Sequence, residues 1–256
     1  MAVCWILLLC LGTPLLFWGV AVLGAGVALH EFFRMTCPFL AGPRLYGSLL
    51  CCLLPLLAVG TNQMALLPAG LVASLLAIAV LALHGYGTMT DVFRYLTCSG
   101  FAGLYISGAV AHIVLIRFLP QGPYWLTLLV AIIAGSDTGA YYTGRALGRR
   151  KLFPLISPKK TVAGGVGGIV SGVLAAEGVN LLFPEPANPL LLLLTGPLLI
   201  IVGIAGDLVE SLIKRSVGVK DSGTVLAGHG GLLDRIDSLL LAGPVFYYLL
   251  HFGVLQ

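Results

Sequence analysis

Residues 207–214 read Asp-Leu-Val-Glu-Ser-Leu-Ile-Lys, which puts Asp207, Glu210, Ser211 and Lys214 at i, i+3, i+4 and i+7. On a helix these four line one face. Such a face taken alone is as well explained by solvation as by chemistry. It continues, however, into Lys214-Arg215, Lys220-Asp221-Ser222-Gly223, Gly228-His229-Gly230-Gly231 and Asp234-Arg235-Ile236-Asp237-Ser238. The glycines around His229 permit a tight turn and a close approach of backbone N–H groups to a ligand. Asp234 and Asp237 stand one helical turn apart at the start of the last apolar run, so both can face one site. Carboxylates at two helix ends suit Mg²⁺ while leaving ligand positions for phosphate oxygens and water. Neighbouring lysines and arginines suit the phosphates themselves. The plainer reading is a set of helix caps and loop salt bridges. The crowding of so many polar residues in a chain so poor in them argues against it.

The elements that must hold these residues are apolar. The chain has 256 residues, 59% hydrophobic and 9% charged, with a mean hydropathy of +1.04. Soluble domains average roughly 45–50% apolar and about 25% charged residues. Disorder, nucleic-acid binding and ordinary soluble enzymology are therefore poor readings. A helix crossing about 30 Å of hydrocarbon needs roughly 20 apolar residues. Candidate spans run near 2–29, 45–60, 64–84, 98–118, 122–146, 163–183, 188–206 and 237–255. The first is interrupted by Gly12 and Pro14, so it counts as one helix or two. The expected fold is all-α, a polytopic integral membrane protein with eight or nine transmembrane helices. Residues 1–120 are expected to form an N-terminal set of helices. Residues 121–256 are expected to form a catalytic region with polar motifs at 136–161 and 207–238. The six cysteines, at 4, 10, 37, 51, 52 and 98, show no C-x-x-C pair and read as filler in helices. The first 29 residues lack the basic start of a cleaved signal peptide and read as membrane-resident.

The net charge of +4 is small, but its distribution is not even. Loops near 30–44, 85–97, 145–162 and 207–237 carry every Lys and Arg except Arg117. Thirteen against one is a strong positive-inside bias and places these loops in the cytoplasm. The C-terminus then lies outside. The N-terminus is outside if residues 2–29 cross once and inside if they cross twice. Asp137, Asp207, Glu210, Asp221, Asp234 and Asp237 follow the bases into the two large polar stretches. Asp137 lies within an apolar run, and a carboxylate at membrane depth is by default a functional candidate. Glu177 also falls in a span and receives no role. Gly164, Gly168 and Gly172 form a four-residue ladder that reads as helix packing. His30, His84, His112 and His251 show no ligand spacing. No G-x-x-x-x-G-K-[ST] phosphate loop is present.

The run Ser211-Leu-Ile-Lys214-Arg215, then Lys220-Asp221, then His229-Gly-Gly-Leu-Leu-Asp234-Arg235-Ile-Asp237 closely resembles the C-terminal motif of the phosphatidate cytidylyltransferase (CDP-diacylglycerol synthase) family. Ser136-Asp137-Thr138-Gly139-Ala140-Tyr141 and Ser157-Pro158-Lys159-Lys160-Thr161 resemble its other polar motifs, in the same order. Glu31-Phe32-Phe33-Arg34 is similar to a short family element at the end of an early helix. The chain departs from the pattern at Ala163, where the family usually has Glu, and at Ala227, where it usually has Pro or Gly.

The resemblance implies a membrane nucleotidyltransferase of phospholipid biosynthesis that joins CTP and phosphatidate into CDP-diacylglycerol and pyrophosphate. It implies Mg²⁺ as cofactor, with Asp207, Asp234 and Asp237 as ligands. The catalytic set it implies is Asp207, Lys214, Arg215, Lys220, Asp221, His229, Asp234, Arg235 and Asp237. The substrate-binding set is Asp137, Ser157, Lys159, Lys160, Thr161, Ser211, Gly230 and Gly231. Expected partners are CTP, phosphatidate and membrane lipids, with no nucleic acid and, as the assembly, a homodimer. The expected place is the inner (plasma) membrane, multi-pass, with the site facing the cytoplasm. The alternatives are CTP-dependent transfer to another membrane lipid, by a prenol kinase or another lipid cytidylyltransferase, and a transporter. Against a transporter, the charges crowd one face and the 211–237 pattern is not repeated.

With the native cysteines removed, an impermeant thiol reagent added from outside should miss both Ser157→Cys and Ser222→Cys. Efficient external labelling of either would overturn the orientation.

Overall fold

The computed structural model describes residues 8–9, 12–184, 186–223 and 230–255. His229 and Ala227 lie outside the described residues. The described residues are 77% helical, and among them the all-α expectation holds apart from one hairpin. Among the described residues, six helical segments are long and apolar enough to cross a membrane: Pro14–Thr36, Gly42–Thr61, Leu66–Gly85, Val92–Phe118, Val162–Asn180 and Pro189–Ser216. Two further long helices, Gly122–Leu147 and Leu233–His251, fall outside this set. They carry Ser136, Asp137 and Arg145, and Asp234, Arg235 and Asp237, so the polar motifs themselves lower their apolarity.

The chain divides into two compact units. One comprises 1–120 with 217–235, and the other comprises 121–216 with 236–256. In the first unit α1 (Pro14–Thr36) begins where Thr13 caps it, the Leu16 N–H donating to Thr13 Oγ1 at 3.2 Å, with Pro14 in the first turn. The interruption expected at Gly12 and Pro14 is thus a helix start. The helix also runs beyond the expected end at 29, so Glu31 and Arg34 are helical rather than in a loop. Next come α2 (Gly42–Ala58), a 3₁₀ turn over Val59–Thr61, and α3 (Leu66–Gly85). Then α4 (Val92–Ala102), a π-helical turn (Gly103–Gly108) and α5 (Ala109–Phe118) form one continuous rod. This rod is 78% buried over its most apolar stretch, against 28–39% for the other five segments. It is the core around which the first unit packs. Phe32 of α1 stacks on Phe101, which stacks on Tyr105, with centroids 6.1 and 4.9 Å apart. Arg117, the one Lys or Arg outside the four basic loops, is buried. It donates to the Leu9 and Gly12 carbonyls at 3.3 and 2.7 Å. It therefore satisfies backbone acceptors at a chain turn.

The second unit contains α6 (Gly122–Leu147), a hairpin of β1 (Lys151–Phe153) and β2 (Ser157–Thr161), then α7 (Val162–Asn180), α8 (Pro189–Ser216) and α9 (Leu233–His251). Residues through Arg235 at the start of α9 group with the first unit. The hairpin pairs Lys151 with Thr161 and Phe153 with Ser157, in a segment expected to be an irregular loop. The β-branched or aromatic residues at 153, 156 and 161 favour extended backbone. Thr161 ends β2 and caps α7, accepting from the Gly164 N–H at 3.1 Å. The polar stretch after 206 is likewise shorter than expected, because α8 continues to Ser216.

Glycines bring α6 and α7 into backbone contact. A Cβ on Gly168 would meet Ser136 Oγ at 2.9 Å and one on Gly172 the Ile132 carbonyl oxygen at 2.7 Å. A Cβ on Gly135 would meet Ala175 Cβ at 2.6 Å. The ladder at 164, 168 and 172 is buried packing, as its spacing suggested. Gly206 does the same for α8 and α9, since a Cβ there would sit 2.6 Å from the Asp237 carbonyl oxygen. At the far end of α6 and α7, Tyr124 donates to Asn180 Oδ1 at 2.6 Å, and Asn180 Nδ2 donates to the Ala187 carbonyl at 3.0 Å.

Gly172→Val is expected to destabilise the purified protein by at least 1–3 kcal/mol, the usual range for overpacking, and Gly178→Ala to be neutral or mildly stabilising, because nothing lies within 4 Å of a Cβ there. Thermal unfolding in one detergent would rank the two.

Candidate active site

Asp207 and Glu210 stand on the last turns of α8, Asp137 on α6 and Asp237 on α9. The close helix packing at Gly168, Gly172 and Gly206 brings these elements together. Asp207 pairs with Lys160 of β2, Oδ2 to Nζ at 2.6 Å, and accepts from Ser211 Oγ at 3.3 Å. Asp137 lies within electrostatic reach of Lys160 and Asp207, and Asp237 within reach of Asp207, Glu210 and Asp137. Asp237 Oδ1 also takes the Ser238 N–H at 2.6 Å. Glu210 is fully buried and pairs with Lys214 at 3.2 Å, the i,i+4 pairing that its spacing suggested. Because both partners are buried, removing one strands a charge and costs about 3–5 kcal/mol, far more than an exposed helix pair.

A cavity of about 210 Å³ opens beside the Lys160–Asp207 pair, lined by Ser136, Asp137, Tyr141, Leu152, Lys159, Lys160, Thr161, Gly164 and Ile204 among others. It brings the two upstream motifs, 136–141 and 157–161, to one place. Drug-sized ligand pockets span about 300–1,000 Å³, so this cavity suits a phosphate-bearing part of a ligand. Around Asp207 four carboxylates outnumber Lys160 and Lys214, and all their donors are hard oxygens of the kind Mg²⁺ takes. Among the described residues, no three His, Cys, Asp or Glu side chains cage a metal by themselves. Mg²⁺ usually takes one or two carboxylates and completes its shell with phosphate and water. The donor set therefore fits an ion that arrives with a nucleotide.

The downstream motif makes a second construction, within the first unit. Asp234 Oδ2 accepts the Ser222 and Gly231 N–H groups at 3.0 and 2.9 Å. Glu31 of α1, 2% exposed, accepts the Leu232 and Leu233 N–H groups at 3.0 and 2.9 Å and the Ser222 hydroxyl at 3.3 Å. It caps α9 from another helix. Gly223 and Gly231 have no room for a side chain because the Glu31 carboxylate packs on them, at 2.8 and 2.6 Å from a Cβ. Gly230 has φ +80°, open to glycine at little cost. Asp207 and Asp237 belong to one unit and Asp234 to the other. Lys220, Asp221 and Arg235 are exposed in the first unit and Arg215 in the second, while Ser157 is half-buried in β2. His229 lies outside the described residues. Glu31 is absent from the site residues that the sequence suggested. Its signal was there, as the sole acidic residue before Asp91, at the end of an apolar run.

The sequence matches the cytidylyltransferase family over residues 1–253. The chain belongs to that family. It is 45% identical over 150 residues to a phosphatidate cytidylyltransferase of Bacillus subtilis, which covers 58% of this chain and 56% of that protein. It is 44% identical over 149 residues to an uncharacterized protein, YnbB, of Escherichia coli, covering 56% of this chain and 50% of that one. It is 44% identical over 130 residues to a phosphatidate cytidylyltransferase of Staphylococcus epidermidis, covering 51% and 50%. The chain spans about half the length of the curated relatives it matches.

Hydrogen bonds to charged groups contribute roughly 1.5–3 kcal/mol, so Glu31→Gln is expected to speed hydrogen exchange at the Leu232 and Leu233 amides about 10- to 100-fold. Peptides from α7 should be unaffected, and unchanged protection at 232–233 would remove the clamp.

Proposed function

We propose that the protein joins CTP and phosphatidate into CDP-diacylglycerol and pyrophosphate, as an integral membrane enzyme with eight or nine crossings and its site at the cytoplasmic face of the inner membrane. The observation that carries this reading is the convergence of Lys160, Asp207, Asp137 and Asp237 beside the cavity lined by Lys159 and Lys160, in a chain of the cytidylyltransferase family. The thirteen-to-one charge bias supports the orientation. A lipid phosphate resides at headgroup level, and so do helix ends that carry the polar motifs.

Both substrates are anionic, so their repulsion is the first obstacle. Lys159 and Lys160 are placed to receive phosphates at the cavity. Lys160 exchanges its bond to Asp207 for a phosphate oxygen as the nucleotide enters. Asp207 and Asp237 are the proposed Mg²⁺ ligands, with Asp137 within electrostatic reach of Asp207. The ion, when bound, supplies charge neutralisation on the phosphates. Asp234 and Glu31 take the Ser222, Gly231, Leu232 and Leu233 N–H groups and so fix the start of α9. The lipid phosphate oxygen attacks the α-phosphorus of CTP in line, and pyrophosphate leaves. A phosphate monoester is largely ionised near neutral pH, so no dedicated base is required.

Purified protein supplied with labelled CTP, phosphatidate and Mg²⁺ should form a lipid-linked nucleotide. Replacement of one preorganised electrostatic group commonly costs about 10²–10³ in rate, and Asp207→Asn and Asp237→Asn should each lose at least that in kcat with KM for CTP little changed. Folded variants with near-normal synthesis would sink the mechanism, and no product from the unaltered protein would sink the function.

A further inference from the structure

The hairpin that supplies Lys159 and Lys160 to the cavity ends in an apolar tip. Leu155, in the turn between β1 and β2, is 94% exposed, and Phe153 beside it is 44% exposed. Neither packs on a core, although each carries a large apolar side chain. The strands and their approach carry Arg149, Arg150, Lys151 and Lys159, all exposed. On α6, the same unit places Tyr142 outward, 66% exposed, next to Tyr141 at the cavity. A bare apolar tip inside a collar of cations, with aromatic rings alongside, is the composition of a segment that sits in a lipid headgroup layer. Basic residues beside an anionic lipid surface are attracted to it.

We propose that the β1–β2 hairpin dips its tip into the anionic surface of the leaflet and forms the lipid-side entrance to the cavity. This deepens the proposed function and rests on it for the identity of the lipid. The occupant is the membrane surface itself. Charge complementarity selects it, because four cations flank the apolar tip. Continuity also selects it, because Leu152, Lys159 and Lys160 belong at once to the hairpin and to the cavity wall. A lipid phosphomonoester drawn to the collar therefore needs to move only along one strand to reach Lys160.

The test uses the full chain reconstituted in vesicles, with Leu155 replaced by the photoreactive benzoylphenylalanine. In phosphatidylglycerol vesicles, illumination should give a lipid adduct at position 155, several-fold more abundant than in phosphatidylcholine vesicles. Absence of a lipid adduct overturns the proposal, and equal yields in the two vesicles overturn its electrostatic half. In turnover, the double variant Phe153→Ser/Leu155→Ser should raise the apparent KM for phosphatidate about tenfold and leave KM for CTP within twofold. A parallel rise in both would make the hairpin merely structural. If the unaltered protein makes no CDP-diacylglycerol, the proposed function fails, while the photo-adduct still decides the membrane contact.

Discussion

Within hydrocarbon, apolar side chains gain nothing by leaving lipid for a neighbouring helix, so helices associate only where backbones approach closely or polar groups pair. In the second unit that requirement is met by glycine. Gly168 and Gly172 let α7 lie on the α6 backbone at Ser136 and Ile132, and Gly206 lets α8 lie on α9 at Asp237. Asp137, Asp207 and Asp237 lie at or next to those contacts. Asp137 is one residue from Ser136, and Asp207 one residue from Gly206. The carboxylates therefore meet because Gly168, Gly172 and Gly206 have no side chains to keep these helices apart.

The first unit solves a different problem with a buried carboxylate. The first backbone N–H groups of a helix have no partner within it and need acceptors from outside. Glu31 and Asp234 take five donors from Ser222, Gly231, Leu232 and Leu233. That satisfies the start of α9 with acceptors from α1 and from α9 itself. A charged acceptor at a helix N-terminus is favourable in itself, which offsets part of the cost of burying Glu31.

The chain belongs to the cytidylyltransferase family, and its geometry concentrates family-like motifs in two places of different character. The cavity with Lys159, Lys160 and Asp207 has the charges for handling phosphates. The Glu31 clamp has the rigidity for positioning. On the proposed reading the hairpin joins the first of these to the membrane surface, the source of the proposed lipid substrate.

Much of this was legible in the residues alone. Apolar runs located the long helices, because a membrane span must be apolar over nearly its whole length. The i,i+4 spacing of Glu210 and Lys214 foretold their ion pair, and the four-residue glycine ladder foretold a packing face, because helix geometry makes such neighbours local. Helix ends were legible less well. Apolarity stops where the membrane stops, but α1 and α8 continue through Glu31 and to Ser216 on hydrogen bonds that hydropathy does not register. The hairpin was missed for the same reason, since strand pairing at 151–161 leaves no apolar run. Tertiary structure alone decided that Asp207 meets Lys160, across 47 residues, and that Glu31 accepts from Leu233, across 202. Spacing cannot reveal such partners. They depend on which helix faces lie together, and those faces are chosen by packing between segments distant in the chain.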